Sequence, residues 1–334
     1  MRLGGLQSLR GLAAFSVLVQ HATYYSCTAK GIDYKNFLHL DFGQLGVELF
    51  FVISGFVMAG CMNQGKVFFL NRILRIYPGY WLSILASFLL LSDPAFGWTF
   101  SWGSLFLVPV SLNNSYRIPY WTLVYEMAFY LVTYLMILVG ADKKTASKIC
   151  VVWLLGIVLV AKYLPIYPAE PGLWILFAPL NVYFIFGMLL GLNFDNATGS
   201  RSLFIAIGGV VLWAIGDAFF NAPALGAYLP ANLLLACAYC AAVVLAIRHI
   251  KVPRLEKLGD ASYGLYLLHV PIITVVMRTL TTEFPSIRFL VLWSALMVTA
   301  FVGATAFGLL EHRIHARIKK WSRRRTLAPA AQEP

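Results

Sequence analysis

Charge is what this chain has least of: 14 Asp and Glu stand in 334 residues, and all charged residues together make up 12%. Soluble domains carry about 25% charged and about 45–50% apolar residues, so a water-facing surface of the ordinary kind is excluded. Cysteine is scarce too. Cys27, Cys61, Cys150, Cys237 and Cys240 give an odd number with no framework spacing, which supports neither a disulfide scaffold nor a zinc site. The Cys237-x-x-Cys240 pair lies inside an apolar stretch, where small-residue packing accounts for it. No fixed-period repeat is present, and the second half does not mirror the first, unlike the repeat architecture common among transporters.

What is present is apolar: 60% of the residues are hydrophobic and the mean hydropathy is +0.75. Lipid must be part of the solvent, because a soluble globule cannot hide that much apolar surface. With about 20 residues per crossing, the runs near 9–27, 44–62, 77–92, 121–140, 149–164, 174–192, 203–220, 229–247, 263–280 and 289–310 predict ten helices in an all-α polytopic membrane protein. A short run at 101–112, carrying Pro109, is placed as an interfacial or re-entrant segment. Arg10 interrupts the first run and no small-residue cleavage site follows, so that run is read as a retained helix.

The net charge of +12 sits between the apolar runs, which makes it a topology signal rather than a nucleic-acid footprint. Lys66, Arg72 and Arg75, the Lys143–Lys148 and Arg248–Lys257 segments, and the basic run from Arg313 to Arg325 all fall on one side if the N-terminus is inside. The bias places both termini in the cytoplasm. Residues 1–320 form the membrane domain; 321–334, basic and then Pro/Ala-rich, form a tail that touches anionic headgroups.

Ionisable groups at membrane depth are costly and therefore candidates for function. Arg10 and His21 are eleven residues apart, about three turns and roughly 16 Å along one helix face. Glu48, in Gly46-Val47-Glu48-Leu49-Phe50, and Glu126, in Trp121-Thr122-Leu123-Val124-Tyr125-Glu126, each sit about one and a half turns below the outer ends of their helices. Their depth is similar to that of His21, as a general base with orienting carboxylates requires. Arg72 and Arg75, three residues apart, present two guanidinium groups in one direction, a geometry suited to phosphate as well as to a simple inner-surface anchor. His269, in Tyr266-Leu267-Leu268-His269-Val270-Pro271, lies about one and a half turns from the inner surface. It either stabilises the kink at Pro271 or lines a ligand's route. Glu311-His312-Arg313 reads as a headgroup contact, and Asn113-Asn114-Ser115 and Asn196-Ala197-Thr198 fit the short glycosylation sequon.

Taken in order, Arg10 with His21, G-V-E-L-F-F-V-I-S-G-F, the Arg72/Arg75 pair before Ile76-Tyr77-Pro78, W-T-L-V-Y-E-M-A-F-Y and S-Y-G-L-Y-L-L-H-V-P resemble the integral-membrane acyltransferase 3 family over residues 6–313. The resemblance implies ten or eleven membrane helices in the cytoplasmic membrane. It also implies O-acylation, usually O-acetylation, of a surface or exported carbohydrate that can be lipid-linked, with acetyl-CoA or another acyl-CoA as the cytoplasmic co-substrate and no metal. By position His21 matches the family's essential histidine, and Arg10, Arg72 and Arg75 its functional arginines. On that reading the arginines hold coenzyme A phosphates, with His269 on the donor's route. His21 is general base or transient acyl carrier, and Glu126, with Glu48 in support, orients it. Glu48 departs from the Asp common at its position. The aromatic 93–120 loop, with Trp98, Phe100, Trp102 and Phe106, offers rings that could stack on sugars or simply anchor at the interface. The alternative is a proton-coupled transporter with His and Glu as its relay.

A reporter fused after Pro334 should behave as cytosolic, and a cysteine introduced in the 93–120 loop should react with a membrane-impermeant thiol reagent from outside. An exported C-terminal reporter would require an odd number of spans and would reverse the depth assignments.

Overall fold

The computed structural model describes residues 3–37, 41–109, 115–163, 172–194 and 229–327. Among the described residues there are nine long helices and no strand: α1 (Gly4–Ala29), α2 (Phe42–Ala59), α3 (Val67–Leu90), α4 (Trp121–Leu138), α5 (Lys143–Tyr163), α6 (Asn181–Leu192), α7 (Leu229–His249), α8 (Pro253–Glu283) and α9 (Phe289–Leu327). Six of them, α2, α3, α4, α7, α8 and α9, are long and apolar enough to cross a membrane. α1 and α5 have the length, at 26 and 21 residues. The protein is thus an all-helical, multi-pass membrane protein. The run expected at 174–192 is divided: a 3-10 segment, Gly172–Phe177, precedes the 12-residue α6. The run at 203–220, the sequon asparagines Asn113, Asn114 and Asn196, and the last residues of the tail, 328–334, lie outside the described residues.

Three helices overrun their apolar stretches at the same end of the bundle. α3 begins ten residues before 77, at Val67, and α8 ten residues before 263, at Pro253; α9 continues past 310 to Leu327. Helix continues there because it satisfies its own backbone groups, whatever its side chains face. Pro253 starts α8 cheaply, its fixed φ being helical and its missing N–H needing no partner in the first turn. This end carries Arg72, Arg75, Lys257, Arg313 and Lys319 and is referred to below as the basic end.

α1 packs between α2 and α8, α4 against α2 and α3, and α3 against α8 and α9. Five helices, in the order α1, α2, α4, α3 and α8, therefore close a ring. α9 braces it across α8 and α3, while α6 lies on the far side of α2 with α5 and α7 beside it. Glycine is needed where the helices of the ring meet most closely. A Cβ on Gly259 would lie 1.9 Å from the Gln7 carbonyl oxygen, so α8 reaches α1 only without a side chain there. A Cβ on Gly79 would lie 2.7 Å from Tyr263 Cε1 and 2.8 Å from Glu311 Cγ, so α3 nests against α8 and α9 by the same means.

Between α3 and α4 the chain folds back along α3. Ser101 caps the single-turn helix Trp102–Leu105; the Ser104 carbonyl accepts from Leu107 N–H at 3.1 Å, and the carbonyls around this turn take further donors that lipid cannot supply. α3 supplies the donors: the Tyr80 hydroxyl to Ser104 O (2.6 Å), Trp81 Nε1 to Leu105 O (3.2 Å) and the Tyr77 hydroxyl to Phe106 O (2.8 Å). Phe106 thus sits thirteen residues below Leu90, the far end of α3, a descent of about 20 Å at the helical rise. The described part of the segment expected to be interfacial or re-entrant, residues 101–109, lies back along α3. Its return is pinned by Tyr116 O accepting from Ser87 (2.6 Å) and by the Tyr120 hydroxyl on Ser104 Oγ (2.7 Å).

Gly259→Val should force α8 off α1 and lower the melting temperature of the detergent-solubilised protein, by an amount corresponding to overpacking costs of about 1–3 kcal/mol. Gly60→Ala, where the nearest atom to the new Cβ is 3.5 Å away, should leave it within a degree or two. Equal melting curves for the two variants would contradict the close packing described.

Candidate active site

The segment folded back along α3 sets the level at which α4 begins. Tyr120 meets Ser104, which Tyr80 also touches, so α4 starts level with Tyr80 of α3. Counting toward the basic end at 1.5 Å per residue, Glu126 lies about 9 Å below that level and Arg75 about 7.5 Å; Tyr130 and Arg72 lie about 15 and 12 Å below. Carboxylate and arginines are therefore neighbours. This differs from the expected depth: Glu126 is level with the arginines rather than with His21, because α4 begins beside Tyr80, in the middle of α3.

Inside the five-helix ring is a cavity of about 130 Å³. Arg10 of α1, Arg72 and Arg75 of α3 and Glu126 of α4 line it, with Phe50 and Phe51 of α2 and Tyr263 and Tyr266 of α8 among its walls. Glu126 accepts a very short hydrogen bond from the Tyr130 hydroxyl, one turn along α4. The Arg72 guanidinium lies over Phe68 (5.7 Å) and Tyr130 (5.9 Å), and its Nε is buried without a hydrogen-bond partner. Arg75 lies over Tyr263 at 4.9 Å and donates from Nη1 to Glu311 Oε1 at 2.9 Å.

Glu311 was read from the sequence as a headgroup contact and is instead buried, at 3% exposure, as the partner of Arg75. Its other oxygen, Oε2, is buried and unpaired. The overlooked signal is the apolar run Phe307-Gly308-Leu309-Leu310 leading straight into it, which marks a helix still inside the bundle. His315, one turn on, follows from Pro78. A proline has no N–H, so the Leu74 carbonyl four residues back lacks its helical donor, and His315 Nδ1 fills the gap at 3.3 Å. A second, larger groove of about 470 Å³ lies here, lined by Gln64, Asn71, Arg72, Arg75, His315 and Lys319. Arg72 and Arg75 border both spaces, so they stand where groove meets inner cavity.

Glu48 is separate from this set. It is 2% exposed and faces away from the cavity, accepting from Gln44 Nε2 (2.8 Å) and from the Tyr239 hydroxyl of α7 (3.2 Å). These bonds tie α2 to α7, and the structure does not bring Glu48 to His21 or Glu126. The expectation that the two carboxylates share one task failed because equal counts below two helix ends say nothing of which face each residue occupies.

His21 and His269 are together. α8 begins at Pro253, so His269 lies sixteen residues, about 24 Å, into the helix. His269 Nε2 is 3.2 Å from His21 Nδ1, and the ring centroids are 4.8 Å apart. Tyr266 joins the pair to the cavity: it lines the cavity, meets Phe50 at 6.0 Å and His269 at 6.1 Å between ring centroids, and accepts from Thr122 at 3.0 Å. Among the described residues no group of three or more His, Cys, Asp or Glu is placed to hold a metal.

Fixed cations thus line an internal cavity, with an imidazole pair one ring beyond it. The chain belongs to the acyltransferase 3 family: residues 3–309 match that family, described as an acyltransferase domain. It is 28% identical over 303 residues to the exopolysaccharide production protein ExoZ of Rhizobium meliloti (strain 1021), covering 84% of this chain and 92% of that one. It is 25% identical over 305 residues to nodulation protein 10 of Rhizobium leguminosarum bv. viciae, covering 81% and 82%. No solved structure matches. Family membership sets the transporter alternative aside.

Removing one partner of a buried ion pair typically costs about 3–5 kcal/mol, and the lower end applies here because the Arg75 side chain keeps 21% exposure. Glu311→Ala should therefore lower the melting temperature clearly. The double variant Arg75→Ala/Glu311→Ala should lose less than the sum of the single changes, since it strands no charge. Strict additivity would mean that the pair carries no coupling.

Proposed function

We propose that this protein moves an acyl group, an acetyl group in the first instance, from acyl-CoA on the cytoplasmic side of the inner membrane to a hydroxyl of an exported polysaccharide or its lipid-linked precursor. Membership of the acyltransferase 3 family supports the reaction class. The likeness to an exopolysaccharide production protein supports the acceptor class. The observation that carries the donor is the position of Arg72 and Arg75, which border both the groove at the basic end and the inner cavity.

Coenzyme A is a polyanion at one end and a slim, uncharged pantetheine arm at the other. Its phosphates would lie in the groove, where Arg72, Arg75 and Lys319 supply charge-assisted hydrogen bonds. The arm would pass between the two arginines into the cavity, along Val47, Phe51 and Val57 of α2. Arg10, which lines the cavity but not the groove, and Glu126 with Tyr130 give the arm's amides polar partners and keep the buried charge close to balance. The acceptor hydroxyl approaches from the opposite end of the bundle. His21 takes its proton, the oxygen forms the new bond to the acyl carbon, the carbon–sulfur bond breaks, and the departing thiolate takes the proton from the imidazolium. Glu48, tied to Gln44 and Tyr239, holds α2 in place and takes no part in proton transfer.

Purified protein titrated with acetyl-CoA in a calorimeter tests the donor site. Loss of a charge-assisted contact costs about 1.5–3 kcal/mol, or roughly ten- to a hundredfold in affinity. Arg72→Ala and Arg75→Ala should each show that loss, and the lysine variants should fall between alanine and wild type. A double alanine variant that binds acetyl-CoA as tightly as wild type would move the donor site elsewhere. His21→Ala should retain binding and lose transfer.

A further inference from the structure

The histidine pair fixes the protons on its own nitrogens. His21 Nδ1 lies 2.9 Å from the carbonyl oxygen of Val17, four residues back on α1. A carbonyl can only accept, so that nitrogen carries the hydrogen. His269 Nδ1 lies 3.0 Å from Leu265 O, four residues back on α8, and by the same argument is protonated. A neutral imidazole has one N–H. His269 Nε2 is therefore a bare lone pair, and it faces His21 Nδ1 at 3.2 Å. The single hydrogen on His21 Nδ1 is shared between two acceptors, Val17 O and His269 Nε2. The other nitrogen of His21, Nε2, is left unprotonated.

Resting on the acyl-transfer reading above, we propose that His269 is the positioning residue of His21: its Nε2 lone pair holds the His21 ring in the tautomer that presents a bare Nε2 to the acceptor hydroxyl, and keeps a neutral acceptor on Nδ1 while His21 is an imidazolium. This is the task a carboxylate performs in a Ser-His-Asp arrangement. Here the carboxylates are engaged elsewhere, Glu126 with Tyr130 in the cavity and Glu48 with Gln44 and Tyr239. A neutral imidazole also suits the place. His269 is 0% exposed, and burying a neutral, hydrogen-bonded ring costs far less than burying an ion. Packing locks its direction: α8 lies against α1 through Gly259, and Tyr266 stands one turn before it. The proton balance is simple. The hydroxyl proton arrives at His21 Nε2 and leaves from Nε2 to the thiolate, while the Nδ1 hydrogen stays where it is, between Val17 O and His269 Nε2.

The test uses the full-length protein in nanodiscs, as wild type, His269→Ala and His269→Gln, with ¹⁵N-labelled histidine. Initial rates are measured with radiolabelled acetyl-CoA as donor and the source cell's own membrane glycan as acceptor. His269→Ala should lower kcat by up to the roughly hundred- to ten-thousandfold that a positioned general base contributes, with the acetyl-CoA KM within about twofold of wild type. His269→Gln, whose Oε1 can accept near the position of Nε2, should recover part of that loss. The nitrogen spectrum of wild type should show His21 protonated at Nδ1 and bare at Nε2, and His269→Ala should populate the opposite tautomer. A kcat for His269→Ala within about twofold of wild type overturns the proposal. So does a spectrum with His21 protonated at Nε2, or an equal fall for Ala and Gln with a raised KM, which would mark His269 as packing or as part of the donor route. A wild-type protein that transfers no acetyl group defeats the acyl-transfer reading and the catalytic use of the pair with it, while the spectrum still decides separately whether the pair holds its protons as described.

Discussion

Charge buried among helices that face lipid is the constraint on which the architecture turns. Arg10, Arg72 and Arg75 project into one cavity from two helices of a five-membered ring, against Glu126 on a third and Glu311 on the helix that braces the ring. Cations in such a place are costly unless paired or hydrated. The aromatic faces of Phe68, Tyr130 and Tyr263 and the two carboxylates offset part of that cost. One more cation than carboxylate is left over. A phosphate-bearing ligand seated at the mouth would complete the balance, and this connects the packing of the ring to the proposed chemistry.

The segment folded back along α3 makes this constellation possible. By folding some 20 Å down along α3 at the helical rise, it lets α4 begin beside the middle of α3 and delivers Glu126 and Tyr130 to the level of the arginines. The hydroxyls and the indole of Tyr77, Tyr80 and Trp81 hold it there by pairing carbonyls that lipid could not. Those aromatic residues lie directly after the Arg72/Arg75 pair. One stretch of α3 therefore both supplies the cations and fixes the depth of their carboxylate.

Much of this was legible in the residues. Runs of apolar side chains located the long helices, and the rule that lipid excludes ions singled out Arg10, His21, Arg72, Arg75, Glu126 and His269, all of which line the cavity or form the histidine pair beside it. What the residues could not give was level and face. Glu48 was grouped with Glu126 because both lie equally far from a helix start, yet one lies on a helix that starts beside the middle of α3 and the other points at α7. The meeting of His269 with His21 was not foreseen, because hydropathy marks where lipid begins and not where a helix does. Glu311 was lost for the same reason. Its pairing joins residues 236 positions apart, a distance over which no local pattern in the chain carries information.

The measurement that bears most directly on the account is a structure of the protein with a non-hydrolysable acyl-CoA analogue bound. The nucleotide phosphates should sit against Arg72 and Arg75 in the groove at the basic end, with the pantetheine arm inside the five-helix ring and its acyl end toward Tyr266 and the histidine pair. An analogue found outside the ring, or with its phosphates away from both arginines, would contradict this arrangement.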